Sequence, residues 1–376
     1  MRILQVINSL SGGGAETFMV DLSIALNRKM GVEVIVLTYS GVIDSKGEVL
    51  EDKLKKNGVR TIHLKVRNNL KKIFVPLLYM KVIREIRPSV IHSHLDQSDL
   101  FVAMIKNQFK KDRILFVRTL HNNGLIKRIP LFIHEKIFRK FDFNISCSQS
   151  VKENFQIAVL RDAIISINNG IQLDLEKFKI NSSIQLNPSI PTKLNILSIG
   201  SFTPRHGVLQ KGQDLLIAAV SNLKDIIDIK VTFLGDGSEL EKYKSLVQSS
   251  NLQNTILFKG MVKDVRPYID ESDIICMPSR FEGLPIAAIE AAVRDKPLLV
   301  SNIAAFDPFF QESSIRFDIS SLKDLELKIV EVSNEITNLS YQAKRNGPRY
   351  REVFDIGRVA EKYFEVYSLN VLSQAT

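Results

Sequence analysis

The sequence has few of the residues that organise small metal-bound or disulfide-bonded domains. Its 376 residues include two cysteines, Cys147 and Cys276, which lie far apart and belong to no C-x-x-C pair. A zinc site is therefore not expected, and buried free thiols are predicted instead. Low-complexity and compositionally disordered segments are also lacking, so a soluble globular protein is expected.

Long hydrophobic runs are absent as well. The longest, such as Ile73–Met80, are far too short to span a bilayer. Residues 1–8 form a short apolar run that lacks the longer apolar core and the cleavage site of a signal peptide. From these features we expect a cytoplasmic protein.

Negative charge is scarce in the first half of the chain. The net charge is +10, and residues 1–185 contain 29 Lys and Arg against 17 Asp and Glu. Residues 186–376 contain 22 against 24, so the excess of positive charge lies entirely in the N-terminal half. This asymmetry indicates an anionic partner there, with nucleic acid and an anionic membrane surface as the two alternatives.

Strand-like and helix-like segments alternate along most of the chain. A dense β-branched run at Val32–Thr38 predicts a buried strand, and apolar residues at helical spacing predict helices such as Leu50–Asn57. Residues 180–193 interrupt the alternation with Ser, Asn and Pro, as is typical of a linker. The sequence thus predicts an α/β protein with two doubly wound, Rossmann-like domains.

We expect the first domain to span residues 1–185 and the second residues 186–350. The third segment, residues 351–376, contains most of a helical pattern over Arg349–Leu369, and this helix is expected to cross back and pack on the first domain. Two such domains leave a cleft beside the carboxyl ends of their strands, where open α/β sheets bind ligands.

The segment Glu282-Gly283-Leu284-Pro285 carries the clearest functional signal. It follows a predicted strand, Ile274–Met277, and precedes a helix that begins near Ile286. Gly283 lets the backbone approach a ligand closely, and Pro285 suits a first helical turn. The N–H groups at the start of that helix can cradle a pyrophosphate.

Two glutamates bracket this helix start. Glu282 can accept hydrogen bonds from sugar hydroxyl groups, and Glu290, about one turn into the helix, can bind two ribose hydroxyls. The alternative interpretation of the pair is a helix cap and a solvated acid.

Residues Phe281–Ala291 resemble the E-x7-E signature of glycosyltransferase family 4, whose members are retaining enzymes with the two-domain GT-B fold. Three further stretches match the family in order: Ser9–Glu16, Asn169-Gly170-Ile171 with Phe178, and Leu234–Gly237. The resemblance covers almost the whole chain. It implies a donor-binding set that comprises Gly14, Gly200, Gly283, Leu284, Pro285 and Glu290.

The family's phosphate clamp is only partly matched. The resemblance implies a Gly-Arg-Leu stretch after the first strand of the second domain, and a Lys-Gly pair soon after it. Lys211-Gly212 matches the pair, but Gly200 is followed by Ser201 rather than arginine. Arg205, in the longer loop, is the candidate replacement, with a solvated loop residue as its alternative. A cation is required because a departing diphosphate carries too much charge to leave unassisted.

The glycine loop near the N-terminus also resembles a dinucleotide-binding turn. That fingerprint fails, because its third glycine would fall at Thr17. The resemblance instead implies that Gly12, Gly13 and Gly14 face the acceptor and the donor phosphates. Glu16 is expected to touch acceptor hydroxyls, or else to favour the helix dipole.

Histidines end two of the predicted strands. The resemblance implies that His121 contacts the transferred sugar, with Asn122 in place of the acid that often follows. His94 is expected to shape the acceptor side, and a structural role is the alternative for both histidines. His92-Ser93-His94 also suggests a metal pair, but no carboxylate or cysteine cluster accompanies it. No D-x-D triplet occurs, so no metal or other cofactor is expected, and Lys211 with the helix end would stabilise the leaving group.

Two basic stretches, Lys65–Arg87 and Lys127–Lys140, place cations beside apolar and aromatic residues. An interfacial helix needs this combination, although an ordinary amphipathic helix packed inward has it too. A nucleic-acid partner is not expected, because no recognised nucleic-acid motif is present.

The sequence as a whole predicts a retaining transferase that moves a hexose or N-acetylhexosamine from a nucleotide diphosphate sugar, with a UDP-sugar favoured. Lys211, Arg205, Glu282 and His121 are the predicted catalytic residues. The resemblance and the basic N-terminal half imply a saccharide or polyprenyl-linked saccharide as the acceptor, and we expect the enzyme to be peripheral at the inner face of the membrane. The alternatives are a GT-B sugar-nucleotide epimerase and a non-catalytic nucleotide-sugar-binding protein.

Overall fold

The computed structural model describes residues 1–29, 31–122, 131–159, 164–173, 193–205, 207–310 and 313–372. The chain forms two compact units. The first comprises Met1–Gln172 together with Phe354–Thr376, and the second comprises Leu173–Val353. The predicted linker over residues 180–193 lies outside the described residues, apart from Lys193.

The first unit is built on a seven-stranded parallel sheet. Its strands are β1 (Arg2–Ile7), β2 (Glu33–Thr38), β3 (Arg60–His63), β4 (Val90–His94), β5 (Leu115–Leu120), β6 (Phe143–Ser146) and β7 (Ile164–Ser166). They are ordered β3-β2-β1-β4-β5-β6-β7, so the strand order reverses between β1 and β4. Doubly wound sheets bind their ligands beside such a reversal, at the carboxyl ends of the strands.

Helices connect these strands. They are α1 (Gly14–Asn27), α2 (Ser45–Lys56), α3 (Val75–Ile86), α4 (Asp96–Ile105), α5 (Leu131–Phe138) and α6 (Gln149–Val159), with 3₁₀ turns at Leu70–Phe74 and Lys106–Phe109. Helix α2 begins at Ser45 rather than at the predicted Leu50, because the Asp44 side chain caps it by accepting from the Gly47 N–H. Helix α6 was not predicted.

The second unit repeats the architecture with six parallel strands. These are β8 (Leu194–Ile199), β9 (Ile229–Leu234), β10 (Ile256–Gly260), β11 (Ile274–Met277), β12 (Leu298–Ser301) and β13 (Ser314–Phe317). The order is β10-β9-β8-β11-β12-β13, which places the reversal between β8 and β11. The loops that follow β8 and β11 carry Lys211 and Glu282 respectively.

The helices of the second unit are α7 (Gln213–Leu223), α8 (Leu240–Ser249), α9 (Arg266–Glu271), α10 (Ile286–Val293) and α11 (Leu322–Val353), with a 3₁₀ turn at Ala304–Phe309. Helices α7 and α11 bury apolar faces in one core with the strands, where Leu216, Phe233 and Ile329 are almost fully buried. Removing such side chains from water is the main stabilising term of the unit.

The C-terminal helical pattern is divided differently from the prediction. Helix α11 runs without a break past Gly347 and Pro348, and the chain turns only at Phe354-Asp355. The next helix, α12 (Ile356–Leu372), belongs to the first unit and packs on α1. Two backbone hydrogen bonds anchor its start: Ile171 N–H to Phe354 O at 2.9 Å, and Ile356 N–H to Ile171 O at 3.1 Å.

Two predictions from composition are answered by the structure. Cys147 and Cys276 are buried free thiols, as predicted. Among the helices in the described ranges, none combines the length and the apolar character needed to cross a bilayer.

Candidate active site

The loop between β11 and α10 contains the segment with the clearest functional signal, and this segment is buried. Glu282, Gly283, Leu284 and Pro285 are all buried, and Leu284 is only 4% exposed. Pro285 is the N-cap of α10, with extended backbone, so it precedes the first helical turn in which it was predicted to lie. A Ser301 hydroxyl donates to Ser279 O at 2.5 Å and ties the start of the loop to the neighbouring strand.

Lys211 and Glu282, 71 positions apart, meet in this loop. Lys211 Nζ lies 2.6 Å from Glu282 Oε1, with the glutamate side chain 6% exposed and the lysine side chain 23% exposed. Gln210 supports the same carboxylate: its Nε2 donates to Phe281 O at 2.8 Å and lies 3.5 Å from Glu282 Oε2. The structure thus brings together a cation and an acid that the sequence placed in separate loops.

Two glycines make room for this ion pair. A Cβ on Gly200 would lie 2.5 Å from Lys211 Cγ, so the lysine stem passes directly over that glycine. Gly212 has a φ of +66°, and a Cβ there would lie 1.8 Å from the carbonyl oxygen of Pro278. Glycine is therefore required at position 212 both for backbone conformation and for space.

Arg205 does not approach the ion pair through any contact of its side chain. It is exposed, and its backbone forms a tight turn with Val208, with N–H to O distances of 2.8 and 3.2 Å. No hydrogen bond or ion pair joins its guanidinium to another residue that the structure describes. The sequence-based candidate for the missing family arginine is thus a surface residue of the turn.

Arg280 is a cation of this site that no sequence motif predicted. Its guanidinium forms a bidentate pair with Asp214, at 2.8 and 2.7 Å, and donates to Leu209 O at 2.7 Å. The hydrogen bond to Asp214 raises the Arg280 pKa further. Because the Arg280 N–H also binds Gln210 O at 2.8 Å, this residue fastens the Lys211 loop to the Glu282 loop.

Glu290 lies on α10, the helix that follows the Glu282 loop. It is on the second turn of α10, and its side chain is partly exposed. A carboxylate near a helix start that is not fully buried is able to accept from two adjacent hydroxyl groups.

In the first unit, the glycine loop is held by charged side chains. The Gly12 N–H donates to Asp44 Oδ2 at 3.0 Å, and Lys46 Nζ donates to Gly12 O at 3.2 Å. Gly13 is the N-cap of α1 and Gly14 its first residue. Neither charged partner was singled out from the sequence, because Asp44 and Lys46 belong to the next connection along the chain.

Glu16 folds back under this loop. It is 8% exposed and accepts a hydrogen bond from the Ser11 hydroxyl at 2.9 Å. A Cβ on Gly13 would come within 2.2 Å of Glu16 Oε2, so the glycine allows the carboxylate to lie against the loop backbone.

Three histidines lie together at the carboxyl ends of β4 and β5. His94 Nδ1 is 2.9 Å from His121 Nε2, and His94 Nε2 is 2.8 Å from Gln5 Oε1 on β1. His92 forms a second layer, with its ring 4.1 Å from that of His94. The sequence-predicted residues His94 and His121 are therefore in direct contact.

Burial sets the charge of these histidines. It lowers the pKa of His92 and of His94 well below the usual range, and that of His121 to about 3. All three are neutral at pH 7. Within the described part of the chain, no three His, Cys, Asp or Glu side chains are grouped to hold a metal ion.

A buried ion pair beside the histidines was also missed. Asp99 accepts from the Ser93 hydroxyl at 2.5 Å and lies 3.6 Å from an Arg118 nitrogen. Arg118 also donates to Asn144 Oδ1 at 2.7 Å, and burial raises the Asp99 pKa to about 7. The pair links α4, β5 and β6 and so braces the strand ends that carry His94 and His121.

Two parallel-sheet units, each with charged or polar side chains gathered at the reversal of strand order, define a doubly wound α/β protein of the class that binds ligands at that edge of the sheet. Residues 12–175 match the family described as Glycosyltransferase Family 4, and residues 186–343 match Glycosyl transferases group 1. The chain belongs to the family 4 glycosyltransferases.

Relatives along the whole length agree with this assignment. The chain is 24% identical to the capsular polysaccharide biosynthesis glycosyltransferase CapH of Staphylococcus aureus, over 99% of this chain and 100% of the relative. It is 23% identical to the O-antigen biosynthesis glycosyltransferase WclY of Escherichia coli, over 98% of both. The solved structure of Anabaena HepE in complex with UDP and glucose has a TM-score of 0.77 at 17% identity, over 98% of this chain and 99% of that chain. The predicted GT-B fold class is thereby confirmed.

Proposed function

We propose that this glycosyltransferase moves a hexose or N-acetylhexosamine from a UDP-sugar to a saccharide or polyprenyl-linked saccharide, with retention of configuration. The ion pair between Lys211 and Glu282 carries the proposal, because a cation lies beside the carboxylate that is proposed to bind the sugar, in the loop before α10. HepE, with the same fold, was solved with UDP and glucose, which supports the choice of donor. The names of CapH and WclY support a role in capsule or O-antigen synthesis.

The charge of the leaving group defines the role of Lys211. A UDP leaving group gains negative charge as the bond from its phosphate oxygen to the sugar carbon breaks. Lys211 and the N-terminal end of α10 are proposed to stabilise that charge, so the reaction needs no metal ion. Arg205, which is exposed, is proposed as a second cation, whereas Arg280 is occupied by Asp214.

The proposed reaction proceeds on one face of the sugar. The acceptor oxygen bonds to the anomeric carbon on the side from which the phosphate leaves, and the acceptor proton passes to the departing phosphate oxygen. Configuration is retained without an enzyme nucleophile. Glu282 and His121 are proposed to hold the transferred sugar, and Glu290 the ribose. Gly12, Gly13, Glu16 and His94 are proposed to lie on the acceptor side.

A surface of the first unit supports the proposed membrane contact. Four apolar side chains on the 3₁₀ turn and α3 form an exposed patch, with Leu70 84% and Ile73 75% exposed; the other two members are Phe74 and Leu77. The chain carries six Lys and Arg and no Asp or Glu between Lys65 and Arg84. An apolar patch edged by cations fits the interface of an anionic lipid bilayer. We propose that the protein is peripheral at the inner face of the cell membrane. The second basic stretch, Lys127–Lys140, lies partly outside the described residues.

Incubation with a panel of UDP-, GDP- and dTDP-sugars tests the function directly. We expect one UDP-sugar to yield UDP and a glycoside of unchanged anomeric configuration by NMR, with equal rates in EDTA. Glu282→Gln should reduce transfer at least about 100-fold. The matched control is Glu326→Gln, since Glu326 is also a buried acid, held by Lys323 at 3.1 Å with 8% of its side chain exposed. An epimerised sugar nucleotide would support the epimerase, and binding without turnover the non-catalytic alternative.

A further inference from the structure

Three side chains at the end of the first sheet form a continuous hydrogen-bonded row, Gln5–His94–His121. Gln5 Oε1 lies 2.8 Å from His94 Nε2, and His94 Nδ1 lies 2.9 Å from His121 Nε2. The row ends at His121 Nδ1, which is buried and for which no described residue supplies a hydrogen-bond partner. At the β1 end, Gln5 joins the row through Oε1, and its Nε2 is likewise buried without a hydrogen-bond partner among the described residues.

The amide oxygen of Gln5, which joins the row at its β1 end, dictates the direction of every bond in the row. A neutral imidazole donates from one ring nitrogen and accepts at the other. Since Gln5 Oε1 only accepts, His94 holds its proton on Nε2 and accepts at Nδ1. His121 then donates from Nε2, and its Nδ1 keeps a lone pair.

We propose that Gln5 is a positioning residue that, through His94, holds His121 in its Nε2-protonated tautomer, so that His121 Nδ1 accepts a hydrogen bond from a hydroxyl group of the transferred sugar. The identification of the ligand as a sugar depends on the proposed function, whereas the tautomer assignment does not. The opposite orientation of the Gln5 amide would reverse every bond and present an N–H, which would select an acceptor-only group such as a phosphate oxygen. The row would thus make His121 Nδ1 selective for a ligand group that donates a hydrogen bond, such as a hydroxyl group.

A second layer keeps the rings of the row from turning. The His92 ring lies against His94 and is fixed at both nitrogens, by the Tyr367 hydroxyl at 2.7 Å and by Thr119 Oγ1 at 2.8 Å. Thr119 is in turn 3.0 Å from the Tyr363 hydroxyl, so α12 supplies two of the supports. The Phe18 ring meets His121 edge-on, with centroids 5.9 Å apart. A flip of either histidine of the row would break hydrogen bonds inside this packed layer.

Nitrogen-15 NMR of histidine-labelled protein reads the tautomers directly, and the sequence has only six histidines to resolve. His94→Gln and His121→Gln assign the two signals. We expect both imidazoles to carry the proton on Nε2. Gln5→Met, which removes the acceptor at similar volume, should shift both toward the other tautomer, whereas Gln5→Glu, which keeps an acceptor, should not. His121 protonated on Nδ1 in the native protein, or unaffected by Gln5→Met, would overturn the tautomer assignment.

Kinetics test the positioning role separately. Gln5→Met should lower kcat about tenfold, the equivalent of one hydrogen bond in the transition state, with the donor KM within about twofold. Gln5→Glu should retain most of the native kcat. A kcat that is equal in Gln5→Met and native protein contradicts the role of Gln5, whatever the NMR shows.

Fluorinated donors test the hydroxyl. Fluorine accepts weakly but cannot donate, so at one sugar position fluorine and hydrogen should be equally poor substitutes for the hydroxyl. That penalty should disappear in His121→Ala. Fluorine that is tolerated where hydrogen is not would show that His121 donates, and would overturn the proposal. A protein that transfers no sugar at all overturns the proposed function instead, and leaves the tautomer result as it stands.

Discussion

Lys211 Nζ lies 2.6 Å from Glu282 Oε1, so the cation proposed to meet the donor diphosphate is paired with an acid of the same site. An incoming diphosphate and Glu282 compete for one ammonium group. Binding would therefore redistribute the Lys211 hydrogen bonds and free a Glu282 oxygen for the sugar hydroxyls. Under the proposed function, the pair would couple recognition of the phosphate to recognition of the sugar.

This competition predicts opposite effects of two substitutions on UDP affinity. Lys211→Met should weaken UDP binding by about 10- to 100-fold, because a charge-assisted contact is lost. Glu282→Gln should leave UDP binding equal or tighten it several-fold, while sugar transfer collapses. Isothermal titration with UDP measures both, with Glu326→Gln as the control that should match native protein. Equal weakening by Lys211→Met and Glu282→Gln would show that the acid supports the phosphate site rather than competing for its cation.

The backbone at Gly212 predicts a steep cost of substitution. Gly212→Ala should lower the free energy of unfolding by about 3 kcal/mol or more, because a left-handed backbone conformation and a clash with Pro278 O add together. Gly207→Ala is the matched control: its φ is +83°, but the added Cβ meets no described atom within 4 Å, so about 1 kcal/mol is expected. Urea unfolding compares them. Similar losses at both positions would mean that the loop moves away from Pro278 without penalty.

The buried histidines predict a loss of stability in acid. Unfolded histidine binds a proton below pH 6.5, whereas His92 stays neutral in the folded protein, so the unfolded state binds more protons and stability falls as the pH falls. His92→Gln should make the slope shallower by up to about 1.4 kcal/mol per pH unit below pH 6.5. The raised pKa of Asp99 acts in the opposite direction between pH 3.8 and about 7, but it is common to both proteins and cancels in the difference. Parallel stability curves from pH 5 to 7 would contradict the neutral assignment of His92.

The apolar patch predicts selective binding to lipid. Native protein should bind phosphatidylglycerol-containing vesicles at low salt and phosphatidylcholine vesicles poorly. Ile73→Ser with Phe74→Ser should weaken vesicle binding by at least about tenfold, because two side chains no longer enter the bilayer. The control is Ile226→Ser with Leu327→Ser, two similarly exposed apolar residues of the second unit. Vesicle sedimentation measures the binding of the native protein and of both double variants. An equal effect of the two double substitutions would contradict a role of the patch in membrane binding.

Local patterns were sufficient for the architecture but not for all of its boundaries. The alternation of strands and helices predicted two doubly wound domains, since buried parallel strands have a strong signature. The start of α2 was missed because its first turn is polar, and only the Asp44 cap defines it. The predicted helix over Arg349–Leu369 missed the turn at Phe354-Asp355, because apolar residues continue at helical spacing on both sides of it; α11 instead runs through Pro348 to Val353.

The candidate site was predictable where a motif encodes it. Glu282 and Lys211 each lie in a recognisable loop, and the structure adds that they touch. Arg280 and Asp214 were missed, because a bidentate pair between residues 66 positions apart leaves no periodic trace. Gln5 was missed for a similar reason: it is one polar residue in an apolar strand, and only the sheet brings it to His94.

The last helix has a consequence for synthesis on the ribosome. The first unit draws on both ends of the chain, and the hydroxyls of Tyr363 and Tyr367 close the hydrogen bonds of Thr119 and His92. A nascent chain has all of the second unit before it has α12. The histidine layer can therefore be completed only after the second unit has been synthesised, although the strands that carry the histidines are made before that unit.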